Sequence, residues 1–453
     1  MIERRLSEIA AAVGGTLRAP DGVATAVATD SRSVAAGTLF VAIAGERLDG
    51  HDFVADALGR GAIVAMVHRR GIAGPTIEVA DTGRALLDLA ADERGRMAGT
   101  RVVGITGSNG KTSAKDLAAA VLSARYRTHA SPASFNNEVG LPATLLGAAP
   151  STEMVVAEMG ARRRGDVELL CDVARPDAVV VTNVGLAHLG IFGSWTSIVR
   201  AGEEPVRWLG SDGTAILNVD DAVVRGYADA CRGVVLTFGT TPDADIRAEE
   251  IAVADDGRAS FVLSAGDDRE TVELGVPGEH MVSNGLAAAA VGRWAGLTVA
   301  ECAAALKGAA ISRWRMETST TDAGVVVIND AYNANPESMA AALKAARRMA
   351  ADTRLAVVLG HMAELGDVSF EEHEKLGELV VRIGVERLVT VGDEARTIAR
   401  AAIREGQLPE EVASYDRPAE AASDVRGWAR PRDVVLLKGS RVAALERVAE
   451  ALR

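Results

Sequence analysis

One stretch of the chain, residues 102–113, constrains the fold more than any other, because it combines a strand, a glycine-bearing loop and the start of a helix. The β-branched run at residues 102–105 predicts a buried strand, and the Ala- and Leu-rich residues 114–124 predict a helix. The residues between them include Gly107, Ser108, Asn109, Gly110, Lys111, Thr112 and Ser113. This order of strand, loop and helix is typical of a phosphate-binding loop.

The residue types of this loop suit the phosphates of a nucleotide. Glycines let the backbone approach a phosphate closely, and the N–H groups of the loop and of the helix start face the anion. We expect Lys111 to reach the β- and γ-phosphates and the Thr112 hydroxyl to bind Mg²⁺. The common pattern has a glycine where this chain has Ile105, so an ordinary strand-to-helix turn is the alternative interpretation.

Size and charge limit the classes of function. With 453 residues, the chain predicts about three domains at ~150 residues per domain, and its 48% of hydrophobic residues allows large cores. The formal net charge of −13 argues against broad binding to nucleic acid or anionic membranes, which requires a basic surface. An acidic chain that binds nucleotides must place its positive charge locally, as at Lys111.

Cysteine usage and the lack of long apolar runs predict a cytoplasmic protein. Cys171, Cys231 and Cys302 are far apart and form no CxxC pattern, which indicates buried thiols in a reducing compartment. The first residues carry no apolar signal-peptide core, and no run reaches the ~18 apolar residues of a membrane span. We therefore expect no membrane span.

The chain is expected to be α/β and to form three domains. Residues 1–82 predict a small N-terminal α/β domain. The central domain is predicted at residues 83–312, and the helix at residues 84–97 at its start links it to the first domain. In that domain, strand runs at residues 154–158, 178–182, 215–218 and 234–238 alternate with helices. This alternation predicts a doubly wound, mostly parallel sheet around the phosphate-binding loop, and residues 246–274 predict antiparallel hairpins attached to it.

The third domain, residues 313–453, again alternates strands with helices and predicts a Rossmann-like α/β fold. Its strand runs lie at residues 325–328, 355–359, 388–391 and 434–437. Its helices are expected near residues 338–350, 371–383, 394–404 and 441–452.

Ligands of parallel sheets gather beyond the carboxyl ends of the strands, and this rule selects further candidates. Glu158 ends a strand near the loop, where it could hold Mg²⁺, although a carboxylate there could also cap or pair locally. His188 follows the next strand along the chain. A lone His is more often a structural donor than a ligand, and Mg²⁺ prefers oxygen.

Polar clusters outside the central sheet each admit two interpretations. Residues 29–33 and 45–53 are typical of surface turns, but Arg32 next to Ser31 also suits an anionic substrate. The Asn-rich residues 329–336 form either a turn or a hydrogen-bonding site after a strand. Arg315 could reach a transferring phosphate on domain closure, and residues 438–441 form either a second anion site or a solvated cationic turn.

Together these stretches are similar to the Mur ligase family across essentially the whole chain. The motifs that carry the resemblance are residues 30–32, 45–53, 106–112, 135–142, 158–160, 182–189, 330–336 and 437–441. The resemblance implies an ADP-forming ligase of peptidoglycan synthesis, in which ATP phosphorylates the terminal carboxylate of a UDP-N-acetylmuramoyl-tripeptide. The amine of D-alanyl-D-alanine then attacks the acyl phosphate, and residues 330–336 favour this dipeptide in particular.

The resemblance also implies roles for individual residues, with ATP and Mg²⁺ as cofactors. The expected catalytic residues are Lys111, Glu158, His188 and Arg315, and the expected Mg²⁺ ligands are Thr112, Glu158 and His188. The expected ATP contacts are Gly107, Ser108, Asn109, Gly110, Lys111, Thr112, Ser113, Asn284, Arg315 and Asp330. The expected substrate contacts are Ser31, Arg32, Asn136, Asn137, Asn333 and Asn335.

Three positions depart from the family pattern. Ala201 stands where the family commonly has a lysine that is carbamylated and supplies oxygen to a second Mg²⁺. Glu204 could supply a carboxylate instead, although Pro205 disfavours helix at that position. His361 replaces a usual Asp, and Met281 replaces a usual Asn on the side associated with adenine.

These departures leave two alternatives open. One is a paralogous ligase of the same fold that joins another amine to another carboxylate. The other is a nucleotide-binding protein that has lost catalysis. Under the leading interpretation, the first domain holds the UDP end, the central domain binds ATP, and the third domain closes over ATP and carries the dipeptide. A monomer with no nucleic-acid partner is expected.

Overall fold

The computed structural model describes residues 3–45 and 47–452. Residues 1, 2, 46 and 453 lie outside this description, among them Glu46 of the polar cluster at residues 45–53. Within the described residues, the chain forms three large sheets in succession, with helices between their strands. This is the α/β architecture that the alternation of strand and helix patterns predicts.

The N-terminal part folds around a five-stranded sheet. The strands of the five-stranded sheet are β2 (Thr16–Arg18), β4 (Ala26–Ala28), β5 (Thr38–Val41), β6 (Val64–Val67) and β7 (Thr76–Glu78), and β1 (Arg4–Arg5) and β3 (Val23–Ala24) form a separate two-stranded sheet. The helices of the N-terminal part are α1 (Leu6–Ala12), α2 (Val54–Gly59) and α3 (Thr82–Arg96). The sheet order is β2–β7–β6–β5–β4, parallel except for the first pair, and β1 pairs with β3.

A nine-stranded sheet forms the central part. Its strands are β8 (Arg101–Thr106), β9 (Thr128–Ala130), β10 (Met154–Glu158), β11 (Ala178–Val181), β12 (Thr214–Asn218), β13 (Val234–Gly239), β14 (Ile246–Val253), β15 (Arg258–Ala265) and β16 (Asp268–Pro277). Its helices are α4 (Lys111–Ser123), α5 (Gly140–Gly147), α6 (Asp166–Ala174), α7 (Leu189–Phe192), α8 (Trp195–Trp208), α9 (Ala222–Gly226), α10 (Met281–Ala295) and α11 (Val299–Lys307).

The central sheet is parallel from β9 to β14 and antiparallel from β14 to β16, in the order β16–β15–β14–β13–β12–β11–β8–β10–β9. The antiparallel strands are the hairpins predicted at residues 246–274. Strand β8 lies between β10 and β11, with Glu158 opposite Ile105 and Val181 opposite Thr106. The carboxyl ends of these three strands are therefore level, and the segments that follow them meet at one edge of the sheet.

The third part contains a six-stranded sheet in the order β17–β18–β22–β19–β20–β21, parallel except for the first pair. Its strands are β17 (Glu317–Thr320), β18 (Val326–Asn329), β19 (Leu355–Gly360), β20 (Arg387–Val391), β21 (Val412–Tyr415) and β22 (Val434–Lys438). Its helices are α12 (Pro336–Ala350), α13 (Ser369–Arg382), α14 (Arg396–Glu405), α15 (Pro418–Trp428) and α16 (Glu446–Leu452).

Several local predictions need correction. The last helix begins at Glu446 instead of residue 441, because Ala444 has a φ of +50° and separates it from a short 3-10 turn at Arg441–Ala443. Helix α8 continues through Pro205, whose buried side chain packs on the same face as Ile198 and Val206. Packing thus outweighs the local cost of the proline. The strands β1, β2, β3, β7, β9, β17 and β21 were not predicted, since each has only two to four residues, and helices α11 and α15 were not predicted either.

The cysteines and the helices bear on two further predictions. Cys171 and Cys302 are buried, but Cys231 is partly exposed, so the expectation of buried thiols is wrong for Cys231. Burial raises the pKa of the Cys302 thiol to about 11. Among the described residues, no helix combines the length and apolar character that crossing a bilayer requires.

Candidate active site

The loop at residues 107–110 joins β8 to α4. Gly107 and Gly110 have φ values of +131° and +80°, which favour glycine. A Cβ on Gly107 would lie 2.1 Å from Thr182 Oγ1, and a Cβ on Gly110 would lie 2.3 Å from Asn284 Oδ1. Both positions therefore require glycine for conformational and steric reasons, and Asn284 lies directly against the loop.

Hydrogen bonds brace this loop against the segment that follows β11. The N–H groups of Ser108 and Asn109 donate to the backbone and side-chain oxygens of Asn183, at 2.9 and 2.8 Å. The Thr182 hydroxyl donates to the Asn109 carbonyl at 2.6 Å. The Ser108 hydroxyl accepts the N–H of Gly185 at 2.8 Å. The loop is thus held in shape by a neighbouring strand as well as by its own glycines.

Lys111 is the first residue of α4. Its Nζ donates to the carbonyls of Gly107 at 2.6 Å and Ser108 at 3.1 Å, so the ammonium group lies over the loop. Burial lowers the pKa of Lys111, an effect that Glu158 opposes. A cation held there can neutralise a phosphate that the loop binds. Ser113 follows in the first turn and is buried.

Glu158 ends β10 and is 1% exposed. Its Oε1 accepts a hydrogen bond from Asn136 Nδ2 at 2.8 Å, and its N–H donates to Ser131 Oγ at 3.0 Å. Its Oε2 is buried and has no hydrogen-bond partner among the described residues. Because an unpartnered buried carboxylate oxygen is costly, this atom fits a role as a cation ligand.

The groups around Glu158 fit Mg²⁺. Magnesium prefers oxygen and commonly takes only one or two protein carboxylates, completing its shell with water and phosphate oxygens. The Thr112 hydroxyl is buried at the start of α4. Within the described ranges, no group of three or more His, Cys, Asp or Glu side chains is placed to hold a metal. A metal here would therefore depend on the nucleotide for part of its ligands.

Arg315 comes from the start of the third part and reaches this loop. Its Nη2 donates to Thr112 Oγ1 at 2.7 Å and to Ser134 Oγ at 3.0 Å. Its guanidinium lies over the ring of Tyr332, 4.3 Å from the centroid, a cation–π arrangement that orients it. Arg315 thus brings a positive charge from the third part of the chain to the first turn of α4.

Asn335 makes a second contact between the third part and the loop. Its Oδ1 accepts the N–H of Ser338 at 2.9 Å and caps α12, while its Nδ2 donates to Asn109 Oδ1 at 2.6 Å. Glu337 adds a third contact, because its Oε1 accepts the N–H of Leu186 at 3.0 Å. Asn335 thus joins the start of α12 to the loop at residues 107–110, and Glu337 joins it to the segment after β11.

Asp330 and Lys438 form an internal ion pair. Asp330 Oδ1 accepts the N–H of Met316 at 3.1 Å, and its Oδ2 binds Lys438 Nζ. Lys438 is 3% exposed and also donates to the Asn333 carbonyl at 3.2 Å. Lys438 is therefore not a solvated turn residue, and its charge is paired within the protein, while an anion site at residues 438–441 stays a prediction. The pair instead fixes the Asn-rich segment to β22, and the side chain of Asn333 remains exposed.

His188 lies on the segment after β11 and contacts the third part. It has a left-handed φ of +61°, and its Nδ1 contacts the carboxylate of Glu364. Burial lowers the pKa of His188, and the hydrogen bond with Glu364 acts in the opposite direction. The Lys111 ammonium also lowers the pKa of His188, so the ring lies within electrostatic range of the loop.

The remaining predicted substrate contacts lie in two places. Asn137 Oδ1 accepts the N–H of Gly140, the first residue of α5, at 2.9 Å. Ser31 is buried in the N-terminal part, and the neighbouring Arg32 side chain is 82% exposed and pairs with Asp30 at 2.6 Å. Hydrogen bonds from Arg32 lower the pKa of Asp30 to about 2. A substrate that meets both Arg32 and Lys111 must extend from the first sheet to the second.

The structure decides the role of Glu204. Ala201 is buried on α8, and Glu204 on the same helix points its carboxylate at α6. Its Oε1 accepts the N–H of Gly165 at 2.7 Å, and its Oε2 that of Glu168 at 3.4 Å. The expectation that Glu204 supplies a metal ligand in place of the lysine is therefore wrong, because its carboxylate caps a helix.

The other two departures from the family pattern also have local roles. Met281 is 2% exposed, and its Sδ accepts a hydrogen bond from Asn284 Nδ2 at 3.4 Å. It therefore supports the asparagine that lies against Gly110. His361 contributes its carbonyl, which accepts the N–H of Ser440 at 3.0 Å.

Sequence reasoning missed Lys115. It is 2% exposed, and its Nζ donates to the carbonyls of Ser131 and Ala133, both at 2.8 Å. The segment it holds presents Ser131 to Glu158 and Ser134 to Thr112. Lys115 follows Lys111 by four residues, so both lie on one helix face, and this spacing is the signal that could have identified it.

Comparison with known proteins places this geometry in a family. Three family models match in succession: the Mur ligase family catalytic domain at residues 24–94, the Mur ligase middle domain at residues 105–292, and the Mur ligase glutamate ligase domain at residues 314–441. The chain is 38% identical to the UDP-N-acetylmuramoyl-tripeptide–D-alanyl-D-alanine ligase of Mycobacterium leprae (strain TN), covering 100% of this chain and 98% of the relative. It is 35% identical to the ligase of that name in Bacillus subtilis (strain 168), covering 100% and 99%.

Solved structures agree with these relatives. A crystal structure of MurF from Acinetobacter baumannii matches with a TM-score of 0.89 at 30% identity, covering 99% of this chain and 98% of that chain. The MurF ligase of Thermotoga maritima in complex with ADP matches with a TM-score of 0.81 at 30% identity, covering 94% and 96%. The predicted fold class is confirmed.

Proposed function

The chain belongs to the Mur ligase family, and we propose that it joins D-alanyl-D-alanine to a UDP-N-acetylmuramoyl-tripeptide with conversion of ATP to ADP and phosphate. Full-length similarity to relatives of that name supports the two substrates. The contact of Arg315 with Thr112 at 2.7 Å carries the proposal for the chemistry, since it brings a cation of the third part to the loop that holds Lys111.

The reaction has two steps. The γ-phosphoryl group of ATP passes to the terminal carboxylate of the tripeptide, which gives an acyl phosphate and ADP. The amine of the dipeptide then attacks the acyl carbon, the bond from carbon to phosphate oxygen breaks, and phosphate leaves. Two anions must approach each other in the first step. Lys111 supplies positive charge at the loop carbonyls, and Arg315 supplies it at Thr112 in the first turn of α4.

We propose Thr112, Glu158 and His188 as the residues that would hold Mg²⁺, which neutralises phosphate charge when bound. Asn136 orients Glu158 by binding its Oε1, so that Oε2 is the atom available to a cation. Ser131 and Lys115 support the backbone around this carboxylate. These contacts preorganise the carboxylate before the nucleotide arrives.

The substrates are assigned to the two ends of the site. We assign the UDP end to Ser31 and Arg32 of the first part, where the guanidinium is exposed. We assign the dipeptide to the third part near Asn333, whose side chain is exposed. Asn335 contacts Asn109 and links dipeptide and nucleotide segments. A UDP-linked substrate and ATP imply action in the cytoplasm, and one chain supplies every group named here, as a monomer requires.

A substrate panel with phosphate release as the readout tests the proposal. The full chain is incubated with ATP, Mg²⁺, one acid and one amine, and every single omission is measured beside the complete mixture. We expect turnover only with the UDP-muramoyl tripeptide and D-alanyl-D-alanine together. Turnover with an unrelated acid and none with the tripeptide would favour the paralogous ligase. Nucleotide binding without any turnover would favour a nucleotide-binding protein that has lost catalysis.

A further inference from the structure

The segment after β11 and the segment after β19 touch backbone to backbone. The N–H of Gly190 donates to the Glu364 carbonyl at 2.8 Å. A Cβ on Gly190 would lie 2.6 Å from the nitrogen of Gly366, and a Cβ on Gly366 would lie 2.8 Å from Cα of Gly190. The central and third parts can approach this closely only because both positions are glycine. We call residues 188–190 with residues 364–366 the glycine contact.

His188 and Glu364 face each other in the glycine contact, and both have a strained backbone conformation. His188 and Glu364 have φ values of +61° and +64°, a region that residues other than glycine seldom occupy. Such strain persists where the surroundings impose it and is concentrated at functional sites. Here the result is a contact between His188 Nδ1 and the Glu364 carboxylate. The other Glu364 oxygen lies 3.6 Å from Arg162 Nη2.

We propose that Glu364 is a positioning residue: on closure of the third part, its carboxylate accepts a hydrogen bond from Nδ1–H of His188, so that Nε2 is the nitrogen free to bind a metal. This inference rests on the proposed function in one respect, the binding of a nucleotide together with a divalent cation. It couples the position of the third part to the assembly of the metal site, because the carboxylate and the imidazole belong to different parts of the chain.

The chemistry of the two groups leads to this assignment. An ionised carboxylate can only accept hydrogen bonds, so Nδ1 must carry a proton in the contact. In a neutral imidazole, Nε2 is then the acceptor and possible ligand. Histidines that bind metals commonly donate their other N–H to a carboxylate, and removal of that partner typically weakens metal affinity by about 10- to 100-fold.

Metal affinity and histidine tautomer test the proposal on the full chain. Mn²⁺ is titrated into the complex with ADP and followed by electron paramagnetic resonance, and ¹⁵N-labelled histidine reports the tautomer of His188 in the same complex. We expect Glu364→Ala to weaken Mn²⁺ binding by about 10-fold and to remove the preference for the Nδ1–H tautomer. Glu364→Gln retains an acceptor oxygen and should keep the tautomer, and Glu371→Gln on the exposed face of α13 is the matched control.

A second variant tests the role of closure without changing Glu364. Gly190 has no left-handed φ, so Gly190→Ala keeps its own backbone conformation, and its Cβ obstructs the backbone of Gly366 and the Glu364 carbonyl. It should reproduce the loss of Mn²⁺ affinity and the change in tautomer. Each variant is compared with the unaltered chain for its thermal midpoint and its affinity for ADP alone, so that a folding defect is recognised.

The outcomes separate this inference from the proposed function. Unaltered Mn²⁺ affinity and tautomer in both Glu364→Ala and Gly190→Ala would overturn the inference while leaving the ligase proposal in place. Absence of Mn²⁺ binding by the unaltered chain with ADP would overturn both. A change in Glu364→Ala but not in Gly190→Ala would overturn the dependence on closure, since orientation would then not need the glycine contact.

Discussion

The junctions at Lys111 and Lys438 both place a lysine and a glycine between a buried strand and a helical segment, and they differ in what the lysine contacts. Lys111 lies over a loop whose glycines have positive φ values, and its Nζ donates to the loop carbonyls of Gly107 and Ser108 at 2.6 and 3.1 Å. Lys438 is the last residue of β22, is 3% exposed, and pairs with the Asp330 carboxylate.

A lysine that follows a strand can bind an anion only where its charge is not already neutralised within the protein. Lys111 lies at the N-terminus of α4, a helix of thirteen residues. The N–H groups at such a helix start favour an anion. At Lys438, the carboxylate of Asp330, which directly follows the neighbouring strand β18, pairs with the ammonium group. The turn after Lys438 is a short 3-10 segment.

Replacement of Lys111 should have the largest effect on activity. Lys111→Ala removes the loop cation, so we expect kcat/KM to fall by about 10³-fold with little change in thermal midpoint. Phosphate release and differential scanning calorimetry measure the two quantities. Lys375→Ala, an exposed lysine of α13, is the control and should retain activity. Turnover of Lys111→Ala at the unaltered rate would refute the assigned role.

Replacement of Lys438 should act on stability. Lys438→Met leaves the Asp330 carboxylate buried and uncompensated, which we expect to cost about 3 kcal/mol of unfolding free energy. Urea denaturation gives the value, and the double variant Lys438→Met with Asp330→Asn should recover most of the loss. If Lys438→Met were as stable as the unaltered chain, the ion pair would not hold this segment.

Alanine substitution at Gly110 of the loop can be compared with alanine substitution at Gly71, which lies far from the loop in the sequence. Gly110 and Gly71 have φ values of +80° and +79°, so alanine costs about 1 kcal/mol in conformation at either position. Only Gly110→Ala also meets Asn284, at 2.3 Å. We expect Gly110→Ala to destabilise by about 2 kcal/mol and to weaken ADP binding in calorimetric titration, whereas Gly71→Ala leaves ADP binding unchanged. Equal ADP affinity in the two variants would show that the loop tolerates a side chain.

The smallest effect is expected at Arg441. Its guanidinium lies 4.6 Å from the centroid of the Trp314 ring and is otherwise paired with Glu446. Arg441→Ala should reduce stability by about 0.5–1 kcal/mol and leave ADP affinity unchanged. A substantial loss of ADP affinity would mean that the second junction takes part in anion binding after all.

Sequence reasoning located most of the residues around the loop. The parallel order of β10, β8 and β11 follows from alternating strand and helix patterns, and it brings Glu158 to the loop because carboxyl ends of parallel strands are level. Arg315 was selected by its place at the domain junction, whereas Asn284 came from the family resemblance. The roles of Glu204 and Lys438 were beyond reach, since both depend on partners in distant segments: the α6 N-terminus and Asp330.

Local sequence patterns were sufficient to predict the loop after β8, the alternation of strands and helices, and the family, because turn chemistry and hydrophobic period act over a few residues. The tertiary structure alone decided which charges are neutralised internally and which face the nucleotide. Glu364 illustrates this: its contact with His188 joins residues 176 positions apart. The energy of a charge depends on burial and on neighbouring charges, and the packing of the three parts sets both.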